Sequence, residues 1–215
     1  MRLRTLRGFT LIELMVAIAA MALLALMSWR GLDGMMRAQS VTQARGDAVL
    51  TLQTTLSQWA TDLDATISLT KLEPVDWNGS VLRITRRGGD SARPTVVVVA
   101  WALRTDAATG TQWRRWQSPE VTTRADWQQV WERAANWAQD GGSVGGGTEL
   151  MLMPLESWQL AYFRNGTWTA AVSADGMANA IPDGIRLVLN LPPGNGLTGV
   201  LTRDWVRPTA VVPKS

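Results

Sequence analysis

From Phe9 to Trp29 the chain reads FTLIELMVAIAAMALLALMSW, an apolar run in which Glu13 is the sole charge. A helix of that length spans roughly 31 Å, about one hydrocarbon core. Past the run, apolar residues recur at helical spacing at Leu32, Met35, Met36, Val41, Ala44, Ala48, Leu52, Leu56, Trp59 and Leu63, so the pattern predicts one helix continuing to about Asp64. Gly31, Gly34 and Gly46 each weaken that helix by about 1 kcal/mol and are candidate bends. The stripe after Val41 is expected to pack on the chain's own globular domain, and the part before it to face other chains.

The period then changes. Val81 to Arg86 alternates, and Thr95 to Leu103 (TVVVVAWAL) is a continuous apolar run, which marks a buried strand. Thr111 to Trp116 pairs with that run through the short DAATG connection. WQLAYF and TWTAAV flank Asn165-Gly166, a strong hairpin signal, and IRLVLNL and LTGVLTRDW flank PPGNG in the same way. Arg124 to Gln139 reads as a helix with Trp127, Val130, Trp131 and Ala134 on one face. Asp140 to Thr148, DGGSVGGGT, reads as a flexible loop, and no Gly-Lys-Ser or Gly-Lys-Thr follows its glycines to make a phosphate cradle. The fold class is α+β: a long N-terminal membrane helix running into a globular antiparallel β-domain.

Composition narrows the chemistry. With 215 residues, 46% hydrophobic, the chain buries one sizeable core but hardly two. It has neither Cys nor His, so disulfides, thiolate metal sites and the commonest general base are all missing. The sequence pI near 10.1 suggests a nucleic-acid partner until the charges are placed. Arg2, Arg4 and Arg7 precede the apolar run with no acid among them, and without these three the 21 Lys and Arg fall to 18, against 18 Asp and Glu. The basic excess is a topology signal that favours a cytoplasmic N-terminus, with the globular domain across the membrane. A cleaved secretory signal ending near Ala20-Met21-Ala22 imitates the same layout. Glu13 argues against it, because an unpaired carboxylate at depth in lipid costs about 2 to 3 kcal/mol and so calls for a partner.

Gly8-Phe9-Thr10-Leu11-Ile12-Glu13 resembles the class III signal of type IV prepilins and pseudopilins. The resemblance implies that a prepilin peptidase cuts between Gly8 and Phe9, methylates the new amine of Phe9, and leaves the helix in inner-membrane lipid with Leu14, Val16, Ile18, Leu23, Leu24 and Leu26 on its apolar surface. It also implies an assembly role for Glu13, paired with the Phe9 amine of a neighbouring subunit. Phe9 and Glu13 are four residues apart on one helix face. Opposite charges about 4 Å apart attract by roughly 4 kcal/mol at an effective dielectric near 20, enough to offset burial.

Further along, SWRGLDGMMRAQ, VVVVAWALR, QWRRWQSP, SWQLAYFRNGTW and IPDGIRLVLNL resemble the minor pseudopilin J family of type II secretion systems. That resemblance implies a pilin-like fold divided into a leader (1–8), a transmembrane helix (9–29), a periplasmic continuation (30–64) and a β-rich domain (65–215). The implied partners are pseudopilins I and K at the tip of a periplasmic pseudopilus, with no enzymatic activity, cofactor, small-molecule substrate or nucleic acid. A minor pilin of a surface type IV pilus or DNA-uptake fibre would share the N-terminus. Twelve tryptophans keep a secreted carbohydrate-binding module as a rival of another class. Asp62 with Asp64, or Asp126 with Glu132, are weak candidates for paired hydrolytic carboxylates, because i, i+2 positions do not share a helix face and nothing in the pattern marks either pair as buried. Asn78-Gly79-Ser80 and Asn165-Gly166-Thr167 read as turns.

Overall fold

The apolar periodicity from Leu11 onward forms one helix, α1 (Leu11–Asp64). It continues without interruption through Gly31, Gly34 and Gly46, the candidate bends. A Cβ at any of them would meet nothing within 4 Å. A computed structural model of the chain describes residues 9–89, 94–139, 146–171, 180–194 and 196–209. The chain divides into two compact units, Met1–Gly46 and Asp47–Ser215. In the first, every described residue is exposed, and α1 is long and apolar enough to cross a membrane.

The second unit holds two antiparallel sheets. One is a meander, β1 (Val75–Trp77), β2 (Val81–Arg87), β3 (Val96–Asp106), β4 (Gly110–Gln117) and β5 (Thr148–Pro154), with helix α2 (Arg124–Trp137) inserted before β5. The other comprises β6 (Ser157–Arg164), β7 (Thr167–Ala170), β8 (Gly184–Leu191) and β9 (Gly199–Val206), in the order β7-β6-β8-β9. The Asn-Gly hairpin forms between β6 and β7, with Asn165 at φ 51° and Gly166 at φ 79°. Those two positive values are what a two-residue turn between right-twisted strands requires.

The continuous apolar run in β3 is explained by its two neighbours. Val99 and Trp101 join Leu52, Trp59 and Leu63 of α1 and the inner face of the second sheet, Leu160, Ile185, Leu187 and Leu189, in one core. Val98, Ala100 and Ala102 point the other way and meet Trp127, Val130, Trp131, Ala134 and Trp137 of α2 in a second core. The single core expected from chain length is thus two, one on each face of the five-stranded sheet. Small residues at 100 and 102 leave room for the tryptophans of α2, which also make specific contacts: the indole N–H of Trp127 donates to Thr85 Oγ1 at 3.0 Å, and Arg83 lies over the Trp131 ring at 4.6 Å.

β1 and β5 are absent from the sequence pattern. Thr148, expected at the end of a loop, is the first residue of β5 and pairs with Gln117. Most of that predicted loop lies outside the described residues, as does Val172 of the TWTAAV strand and Asn195 of the PPGNG turn. Since both cores lie within Asp47–Ser215 and every described residue of the first unit is exposed, a chain of residues 47–215 is expected to be soluble and to unfold in one cooperative urea transition. A molten circular-dichroism spectrum for that chain would contradict the assignment of the cores.

Candidate functional site

Four N–H groups at the start of any α-helix have no partner within it. In α1 the first turn solves this with Thr10 and Glu13. The backbone N–H of Thr10 donates to Glu13 Oε2 at 3.0 Å and its hydroxyl donates to the same oxygen at 2.8 Å, while the Glu13 N–H donates back to Thr10 Oγ1 at 3.4 Å. This reciprocal pairing is a capping box, Thr-x-x-Glu. The Thr-x-x-Glu spacing is readable in the sequence, but only Glu13 was singled out there, for an intersubunit partner. Thr10 is the residue that reading missed. Phe9 is exposed just ahead of the cap, and Gly8, on the other side of the expected cleavage bond, lies outside the described residues.

Leu14, Val16, Ile18, Leu23, Leu24 and Leu26 are each 58–65% exposed within the chain. A contiguous apolar surface of that kind is stable only against lipid or other apolar helices.

A second cluster of functional chemistry lies at the other end of α1. The Asp62 side chain has no accessible surface. Its carboxylate accepts from Arg115 Nε at 2.6 Å and Arg115 Nη2 at 2.9 Å, from Trp101 Nε1 at 3.0 Å, from Gln58 Nε2 at 3.2 Å, and from Arg86 Nη1. Arg86, Trp101 and Arg115 come from β2, β3 and β4, so one carboxylate holds the last turns of α1 to three adjacent strands. Asp64, two residues on and exposed, accepts from Trp205 Nε1 of β9 at 2.8 Å. The two aspartates therefore tie α1 to different sheets. Nothing in the sequence pattern marks Asp62 as buried, because its burial is set by arginines far away in sequence. An oxygen pair already accepting five hydrogen bonds has no free lone pair with which to take a proton from water, so the pair is an anchor and not hydrolytic machinery.

The other acidic pair is equally committed. Asp126 accepts from the Thr123 hydroxyl at 2.6 Å in the N-cap of α2, and Glu132 accepts from Gln128. Glu149 of β5 binds Arg104, Arg114 and the Trp137 indole. Burial pushes its carboxyl up, but hydrogen bonds from Arg114 and Trp137 and the positive charge of Arg104 and Arg114 outweigh this and hold it below the usual range. All the tryptophans except Trp29 and Trp168 are buried. Trp29 lies on the exposed part of α1 and Trp168 on β7, so the indoles do not form an exposed row on which a sugar could stack.

Residues 4–29 match the prokaryotic N-terminal methylation motif. No curated protein matches the sequence. Among solved structures, the crystal structure of the GspK-GspI-GspJ complex from the enterotoxigenic Escherichia coli Type 2 Secretion System is similar at 17% identity and a TM-score of 0.49, over 75% of this chain and 99% of that chain. The capped, exposed and apolar start of α1 coincides with the matched segment, and through that segment the chain carries the N-methylation motif of prepilin-like proteins.

Proposed function

We propose that this chain is a minor pseudopilin of a type II secretion system, of the J type, which assembles with pseudopilins I and K at the tip of a periplasmic pseudopilus and performs no chemistry of its own. The observation that carries this reading is the methylation motif over residues 4–29 seated on a helix whose apolar residues find no cover within the chain. The segments quoted above for the J family support the narrower assignment. In this reading prepilin peptidase cuts between Gly8 and Phe9 and methylates Phe9, Arg2, Arg4 and Arg7 keep the N-terminus cytoplasmic, and the helix stays in the inner membrane. The β-domain then works in the periplasm.

Mass spectrometry of protein extracted from membranes tests the first step. The expected mature chain begins at N-methyl-Phe9, and replacing Gly8 by a bulky residue is expected to leave the full precursor in the inner membrane. A mature start near residue 23 would show ordinary signal cleavage and sink the reading.

A further inference from the structure

Among the described residues the second sheet ends at β9, which pairs there with β8 alone. The N–H of Arg207 donates to the carbonyl of Asp183 at 2.9 Å, which fixes the alternation along the ladder. In the observed register Trp205, Arg203 and Leu201 turn their backbone groups toward Ile185, Leu187 and Leu189 of β8. Val200, Thr202, Asp204 and Val206 therefore turn theirs outward. Among the described residues no strand covers that row.

Free edges are usually short, bulged, or interrupted by Pro or Lys. The other edges here follow the rule: β1 has three residues, β7 has four, and β5 carries a register shift against β4. β9 is long and regular, and only the charges of Arg203 and Asp204 interrupt it. It has eight residues, GVLTRDWV, without Pro or Lys, and Val200 and Val206 are 73% and 58% exposed. Its charges are also unevenly matched. Asp204 holds Arg186 through hydrogen bonds of 2.8 and 2.7 Å, and Arg207 holds Asp183. Arg203, exposed at the centre of the edge, makes no hydrogen bond or close ion pair among the described residues; its charge acts on the neighbouring Asp204, whose carboxylate is already hydrogen-bonded to Arg186.

We propose that the free edge of β9 takes an extended segment of a different protein chain by antiparallel strand addition, with a carboxylate of that segment facing Arg203. Main-chain bonds to residues 200, 202, 204 and 206 supply the affinity and alternate side chains supply the choice of partner. Arg203 lies at a position that is not hydrogen-bonded toward the added strand, where opposed side chains approach most closely, so the charge of the residue across from it matters. A second copy of this chain is the wrong occupant. Two-fold pairing that uses the whole edge is centred on residue 203 and sets Arg203 against Arg203, a like-charge contact that opposes the pairing. The inference goes beyond the assembly reading, because the surface belongs to the β-domain and involves neither the methylation motif nor the membrane helix.

The test uses the full chain in detergent micelles with two short capped peptides, Thr-Val-Thr-Glu-Thr-Val-Thr and its counterpart with Lys at the centre. Two variants accompany it. Thr202→Pro removes an outward N–H that β8 does not use, and Pro is tolerated at such edge positions. Arg203→Glu inverts the central charge. At millimolar Glu peptide, amide exchange at Val200, Thr202, Asp204 and Val206 is expected to slow, with the Glu peptide bound roughly tenfold more tightly than the Lys peptide, about 1.4 kcal/mol. Arg203→Glu should reverse that order, and Thr202→Pro should weaken both peptides by at least as much. Absence of protection at any of these amides, or equal binding of the two peptides to the wild-type chain, overturns the proposal. Protection without peptide that disappears on dilution assigns the edge to a second copy and overturns it as well. If Thr202→Pro fails to fold, the reversal by Arg203→Glu decides alone.

Discussion

Asp62→Ala is expected to lower the unfolding free energy of the β-domain by about 3 to 5 kcal/mol, because it removes one partner of a buried ion cluster and leaves the other charges in place. Arg115, whose side chain is 6% accessible, would lose both its bonds to the carboxylate and keep only Gln117 Oε1, at 2.8 Å. The Trp101 indole would lose its acceptor in the middle of the main core. Few single domains have more than about 5–15 kcal/mol to lose, so the change takes a large fraction of the total. Asp64→Asn is the matched control: that carboxylate is exposed and accepts a single indole bond, so the substitution should cost no more than about 1 kcal/mol. Urea denaturation followed by tryptophan fluorescence reads both as shifts of the unfolding midpoint. Equal midpoints for the two variants would mean that Asp62 anchors nothing.

The Asp62 anchor depends on contacts that no local pattern encodes. The extent of α1 is legible because its information is local: an apolar run, then apolar residues at helical spacing. The same holds for the β6–β7 hairpin, where Asn165 and Gly166 alone dictate a turn with two positive φ values, and for β3, whose unbroken apolar run requires cover on both faces. Asp62 is different. From spacing it is only a polar residue in the last turn of a helix, and its burial depends on Arg86 and Arg115, 24 and 53 residues away. Those arginines arrive only once β2, β3 and β4 are in register. β5 is hidden for a related reason. The shift opposite Trp113 and Arg114 breaks its alternation, and Leu150 and Met151 are both exposed although adjacent, so neither a period of two nor a fully buried run survives. At the N-terminus the opposite holds: the hydrogen-bond partner of Glu13 is Thr10, three residues away, in a Thr-x-x-Glu spacing that local sequence displays.

Glu13→Gln separates Thr10 from the proposed partner of Glu13 in a neighbouring subunit. Gln at this position still accepts from the Thr10 N–H and still completes a capping box, so the start of α1 should be unchanged. A neutral amide is also easier to place in lipid than a carboxylate, so insertion should be preserved or improved. Processing between Gly8 and Phe9 is expected to persist, with N-methyl-Phe9 detected by mass spectrometry. In the proposed assembly, what Gln cannot supply is a negative charge for the Phe9 amine of a neighbouring subunit, an attraction of roughly 4 kcal/mol at full strength and therefore about three decades in an assembly equilibrium. Co-purification with pseudopilins I and K from inner membranes should accordingly fall steeply. Thr10→Ala makes the reciprocal change: it costs the cap about 1 kcal/mol, keeps the charge, and should leave co-purification far closer to wild type. If Glu13→Gln assembles as well as the wild-type chain while Thr10→Ala does not, the carboxylate serves its own helix alone, and registration between subunits must come from the exposed apolar stripe of α1.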